Sequence, residues 1–151
     1  MREILLVCTG NTCRSSMASA LLKDLLVRKQ KIDQFKINSA GLAAQTGDKA
    51  SPHAIQVVKE EGLDLDTHRA TQLTPQAVEQ ADLILTMTSG HKRIILQVMP
   101  KARGKVFTLK EFVGNSLEDQ DVLDPFGQSI EVYHSCAQEI KLLLEKLVEK
   151  L

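Results

Sequence analysis

The 151-residue sequence has no surplus of charge: 19 lysines and arginines are balanced by 19 aspartates and glutamates. Nucleic acid and anionic membranes are approached through a basic excess, so the balance argues against both as partners. There is no acidic tail, and no apolar run approaches the ~20 residues that a membrane-spanning helix needs. Residues 1–7 contain an acid and no extended apolar region, so they do not read as a secretory leader. The three cysteines cannot all pair, and an odd count without an export signal predicts a reducing, cytoplasmic setting. His53, His68, His91 and His134 are scattered, with no spacing to cysteines or acids that suggests a metal site. They read as surface or helix-end residues. No repeat, low-complexity tract or Pro/Gly/Ser linker divides the chain, whose length suits one domain over residues 1–151.

What is present is an alternation of strand and helix signals. A strand is predicted over about Glu3–Cys8, where consecutive branched residues suit burial on both faces. A helix follows over about Ser15–Gln30, with Met17, Leu21, Leu22, Leu25 and Leu26 as its apolar stripe. Phe35–Ser39 is a second strand, closed by Ala40-Gly41. Ser51-Pro52 and Thr74-Pro75 each combine an N-cap with proline in the first helical turn, and Gly62 ends the first of these helices. Leu83–Leu85 is a third strand, Ser89–Val98 a helix and Val106–Thr108 a short fourth strand. A polar loop covers Asn115–Gln128. The last helix, about Ile130–Leu151, carries Tyr133, Ile140, Leu143, Leu144, Leu147 and Val148. Such alternation predicts an α/β fold with a parallel sheet covered on both faces. Ligands in such folds bind beyond the carboxyl ends of the strands, where the strand order reverses.

At the carboxyl end of the first strand stands Cys8-Thr9-Gly10-Asn11-Thr12-Cys13-Arg14, a C-x5-R pattern between strand and helix. Loop amides and the first helical turn converge there on one point, a built anion site. Gly10 and Asn11 tolerate the positive φ that turns amides inward. Arg14 offers a planar fork of donors that matches phosphate oxygens. The field favours the thiolate of Cys8, a nucleophile for phosphoryl transfer, over a merely buried structural cysteine. Ser15 either donates its hydroxyl to that sulfur or caps the helix. Cys13 either packs at the helix start or traps an oxidised Cys8 as a disulfide. The reaction also needs an acid for the leaving group. Asp124 is a candidate because Pro125 restrains its backbone; Asp119 and Asp121 compete with it, and all three also read as a solvated acidic loop.

Val7–Ser15 resembles the phosphate loop of the low-molecular-weight protein tyrosine phosphatases. Asp124-Pro125 matches that family's general-acid motif in its place before the last helix. Ser39-Ala40-Gly41 and Asp82–Met87 fit as well, so the resemblance spans nearly the whole chain. It implies a four-stranded parallel sheet with flanking helices, no metal or other cofactor, and a phosphocysteine intermediate. It assigns Cys8 as nucleophile, Arg14 as phosphate clamp, Asn11 and Ser15 as loop organisers and Asp124 as acid, with Thr9, Gly10, Thr12 and Cys13 completing the phosphate-binding loop.

Thr12, where tyrosine-specific members usually carry an aliphatic residue, and Phe126-Gly127 after Asp-Pro resemble the bacterial protein-arginine phosphatases. A guanidinium needs acceptors, which a hydroxyl supplies, whereas a tyrosyl ring prefers apolar walls. A small Gly127 would suit a slim side chain beside Phe126. Ser16 departs from the family, which usually has proline there. With only Tyr133 present, the tyrosine-rich acid loop of some members is absent. The expected activity is hydrolysis of phosphoarginine on phosphorylated proteins, by a protein expected to be a monomer. The rivals are phosphotyrosine hydrolysis by the same chemistry, arsenate reduction, which lacks the needed cysteine relay, and a non-catalytic phosphoprotein-binding module.

Overall fold

A computed structural model describes residues 1–114 and 119–151; the first four residues of the predicted polar loop lie outside them. Four strands, β1 (Arg2–Cys8), β2 (Phe35–Gly41), β3 (Leu83–Thr86) and β4 (Val106–Thr108), form one sheet in the order β2-β1-β3-β4. All three pairings are parallel. The order reverses at β1, whose neighbours are β2 on one side and β3 on the other, so the loop leaving Cys8 emerges at the switch point.

Among the described residues, six helices connect and flank the strands: α1 (Arg14–Arg28), α2 (Pro52–Lys59), α3 (Pro75–Gln80), α4 (Ser89–Val98), α5 (Leu109–Phe112) and α6 (Ile130–Lys150). The N-cap readings have direct counterparts. Ser51 Oγ accepts from the Ala54 amide, and Thr74 Oγ1 accepts from the Ala77 amide. Helix α5 and the single 3-10 turns at Ile32–Gln34 and Pro100–Ala102 are additional to the sequence reading. Each is one turn or less, too short to show a period. Helix α5 exists because Thr108 and Glu111 form a reciprocal capping box.

Strand β1 is buried on both faces, and its alternation divides the core in two. Ile4, Leu6 and Cys8 face a cluster built with α1, α2 and α6. Leu5 and Val7 face a smaller cluster with Val78 of α3 and Ile95 of α4. Each fully buried Leu or Ile contributes about 1.5–3 kcal/mol. The α1 stripe is present, with Leu25 only half-buried. The first six residues of α1 are all buried, because that end of the helix plugs the loop after β1.

Candidate active site

The loop from Cys8 to Arg14 wraps around the sulfur of its first residue. Cys8 Sγ accepts from the Asn11 amide at 3.3 Å and from the Ser15 amide at 3.5 Å. The Ser15 hydroxyl stands 2.9 Å away. Asn11 Nδ2 donates to that same hydroxyl oxygen at 2.7 Å, so the Ser15 proton is left to point at sulfur. Of the two residues expected at positive φ, only Asn11 takes it, at φ 59. Its side chain compensates for the strained backbone: Nδ2 also reaches Ser39 Oγ at 3.0 Å, and Oδ1 accepts from the Thr71 amide at 2.9 Å. Gly10 does not adopt positive φ. The glycine the loop needs is Gly41 at the end of β2. A Cβ there would stand 2.5 Å from the Thr9 carbonyl oxygen and 3.0 Å from the Asn11 nitrogen.

Ser15 therefore serves the sulfur rather than the helix end. The N-cap of α1 is Cys13, whose side chain makes no capping bond; the first-turn amide of Ser15 is met by Cys8 Sγ instead. The Cys13 thiol is engaged elsewhere, with Ser51 Oγ at 3.4 Å and Tyr133 Oη at 3.3 Å. Burial pushes the Tyr133 phenol up to about 12, so it stays protonated there. Cys8 and Cys13 are both free thiols and both line the cleft. Ser16 donates its hydroxyl to the Cys13 carbonyl at 2.8 Å.

Arg14 is almost wholly buried. Its Nη1 donates to the Val122 carbonyl at 2.9 Å, and Nη2 donates to Thr9 Oγ1 at 3.4 Å. Its Nε is buried and has no partner among the described residues, while the residue as a whole lines the cleft. Asp124 Oδ2 lies 3.5 Å from Arg14 Nη2, and its side chain is 47% exposed, open to a ligand. Asp124 Oδ1 accepts from the Phe126 amide at 3.0 Å. Pro125 between them is buried, which anchors the pair.

The two acids that competed with Asp124 are engaged elsewhere. Asp119 is bound by Lys110 at 2.9 Å, and Asp121 accepts from the Ser89 amide at the start of α4 at 2.8 Å. Burial disfavours the Lys110 charge, yet its bonds to Asp119 and to Glu139 outweigh that and raise its pKa. Val122 completes the attachment, donating its amide to Met87 O at 2.8 Å.

The cleft between these parts has a volume of about 290 Å³. Cys8, Thr12 and Arg14 lie in its floor and wall, with Asp124 and the exposed Phe126 beside them. Gly127 is not part of the lining; its φ of +79 makes it a backbone requirement of the turn instead of the small wall expected. Ala43, Gln45 and Asp48, between β2 and α2, complete the wall and carry no sequence signal of their own.

Two histidines read as surface or helix-end residues belong to the site's support. His68 Nε2 donates to the Asn11 carbonyl at 2.7 Å, holding the left-handed residue from behind. His91, in the first turn of α4, is only 7% exposed, and its Nε2 lies 2.9 Å from Thr9 Oγ1. Thr9 Oγ1, which accepts from Arg14, thus shares a second hydrogen bond with His91 Nε2. Desolvation, reinforced by the Arg14 charge, lowers the His91 pKa to about 4. The chain His91–Thr9–Arg14 is invisible in sequence because its members are 82 and 5 positions apart.

Comparison with known proteins gives a consistent picture. The profile of the low molecular weight phosphotyrosine protein phosphatases matches residues 3–151. A protein-arginine-phosphatase of Geobacillus stearothermophilus is 45% identical over 99% of this chain and 95% of its own length. A mutant of the YwlE arginine phosphatase with a phosphorylated active site serine superposes with TM-score 0.93 at 44% identity, covering 99% of this chain and 95% of that one. A low molecular weight protein tyrosine phosphatase from T. tengcongensis gives TM-score 0.93 at 41% identity, with both chains covered in full.

Proposed function

The chain belongs to the low molecular weight phosphotyrosine protein phosphatase family, and from that premise we propose that it hydrolyses phosphoarginine on proteins through a phosphocysteine intermediate. The observation that carries the reading is the focus of donors on Cys8 Sγ beside the unmet Nε of Arg14, with Asp124 at the same cleft.

In this mechanism the phosphoryl group enters with its oxygens on the loop amides and Arg14. These groups meet the equatorial oxygens, where transition-state charge lies. The Cys8 thiolate attacks phosphorus in line; the S–P bond forms as the P–N bond breaks. Asp124 gives its proton to the leaving nitrogen. The resulting carboxylate takes a proton from water, whose oxygen bonds to phosphorus as the S–P bond breaks. Phosphate leaves, and Cys8 returns to the thiolate, which the Ser15 hydroxyl stabilises. Phosphorylated proteins are the substrates, and the reducing cytoplasm keeps the thiol usable. Among the described residues no helix is long and apolar enough to cross a membrane.

The phosphoarginine reading rests on relatives that are named protein-arginine-phosphatases and on Thr12 and Phe126 in the cleft wall. Side-by-side release of phosphate from phosphoarginine and phosphotyrosine peptides tests it. Preference for phosphotyrosine would overturn it. Thr12→Ile keeps β-branching but removes the hydroxyl. The ratio of the two kcat/KM values should then shift toward phosphotyrosine by roughly 10–200-fold, the worth of an apolar contact.

A further inference from the structure

Asp48 puts a second carboxylate into the wall of the cleft. Its backbone is clamped. The Asp48 amide donates to Gln45 O at 3.0 Å, and the Asp48 carbonyl accepts from the Ala70 amide at 2.7 Å. The next residue, Lys49, forms an antiparallel bridge with Arg69. Ser51, three residues on, donates its amide to the Thr12 carbonyl at 3.0 Å, which ties this segment to the phosphate loop itself. The Asp48 side chain is exposed and makes no hydrogen bond or ion pair among the described residues. A rigid frame therefore holds a free acceptor where substrate must lie.

Its charge has the wrong sign for the phosphoryl group. A phosphate dianion is met by Arg14 and the loop amides, and a nearby carboxylate repels it. Asp124 has a chemical role that offsets this, since it can carry a proton. Asp48 has no such role, and its presence is unfavourable unless the substrate brings positive charge beside its phosphate. Phosphotyrosine brings none. A phosphorylated guanidinium keeps its charge, and its N–H donors beyond the scissile nitrogen need acceptors inside the cleft.

We propose that Asp48 is a specificity-determining residue that accepts N–H donors of the substrate guanidinium and so selects phosphoarginine over uncharged phosphomonoesters. The proposal rests on the phosphoarginine reading above. It adds to Thr12 a second, charged selector on a different segment of the chain.

The test uses capped phosphoarginine and capped phosphotyrosine, which carry no flanking charges, with wild type, Asp48→Asn and Asp48→Lys. Thermal melting of each variant checks folding. Asp48→Asn should lower kcat/KM for phosphoarginine about 3- to 20-fold, between the worth of an exposed ion pair and that of a charged hydrogen bond. It should raise kcat/KM for phosphotyrosine by roughly 2-fold, because a screened like charge is removed. Asp48→Lys should exaggerate both changes, and salt should shrink them. Equal changes on both substrates, or none, would overturn the assignment while leaving phosphoarginine hydrolysis intact. A wild-type protein that releases no phosphate from phosphoarginine overturns the functional reading and this proposal together. A separate pair of phosphotyrosine peptides, with and without a neighbouring arginine, identifies the remaining outcome. If Asp48→Asn affects only the basic peptide, and spares capped phosphoarginine, Asp48 reads sequence context and the proposal fails.

Discussion

At the scale of single residues, the choice among three neighbouring aspartates turns on what each carboxylate touches. Asp119 and Asp121 are already spent on Lys110 and the Ser89 amide, whereas Asp124 is open to the cleft beside Arg14. Asp124→Asn should cut turnover of phosphoarginine by about 10²–10⁴-fold, a general acid's usual worth. The loss should be much smaller for an activated aryl phosphate, which leaves without protonation. Asp119→Asn should cost far less on either substrate, and steady-state kinetics on both decides the matter. His91 allows a prediction in pH. Its pKa falls from 6.5 unfolded to about 4 folded, so between those values the unfolded chain binds more protons. Stability is then full above pH 6.5 and declines as the pH falls toward 4, by up to about 3 kcal/mol from this group. His91→Gln should flatten the fall in melting temperature over that window. It should also weaken phosphate binding at neutral pH, because Thr9 loses the ring that fixes its hydroxyl beside Arg14.

At the scale of elements, the acid segment is a strap fastened residue by residue before it reaches Asp124. Lys110 of α5 holds Asp119, the start of α4 holds Asp121, and the end of β3 holds Val122 through Met87. Three elements thus set the position of one carboxylate, and Arg14 reads that position through the Val122 carbonyl. The end of β2 is under an equally tight constraint. Gly41→Ala would drive a methyl group into the Thr9 carbonyl, which is backbone and cannot swing aside. Displacement of the phosphate loop by even a few tenths of an ångström should lower kcat/KM about 10–100-fold, since reacting groups must be aligned closely. The overpacking should also cost about 1–3 kcal/mol. Phosphate release and chemical denaturation on the same variant measure both effects.

At the scale of the whole molecule, stability and chemistry sit on different parts of one frame. The larger core, between the sheet and α1, α2 and α6, carries most of the fully buried apolar side chains and ends at the phosphate loop through Cys8 and Cys13. Leu144 lies deep in it and lines no part of the cleft. Leu144→Ala should cost about 2–5 kcal/mol and lower the melting temperature by roughly 5–15 °C. Turnover per folded molecule, measured well below the transition, should be retained.

The sequence by itself determined the order of strands and helices, the burial of β1, the capped helix starts and the Cys8–Arg14 loop. These are local properties. Apolar period, caps and the amides around Cys8 all lie within a few residues of one another, so composition and spacing encode them directly. Only the tertiary structure decided which partner each distant residue meets. It left Asp124 open to the cleft and occupied its two rivals. It brought His68 and His91 behind the loop from 57 and 82 positions away, and it gave positive φ to Asn11 instead of Gly10. It also carried Asp48 into the cleft wall and gave Gly41 its close contact with Thr9. The physical reason is common to all of these. Strand order and the clamping of loops to one another set the contacts between remote segments, and no period or local motif in the chain records which loops will meet.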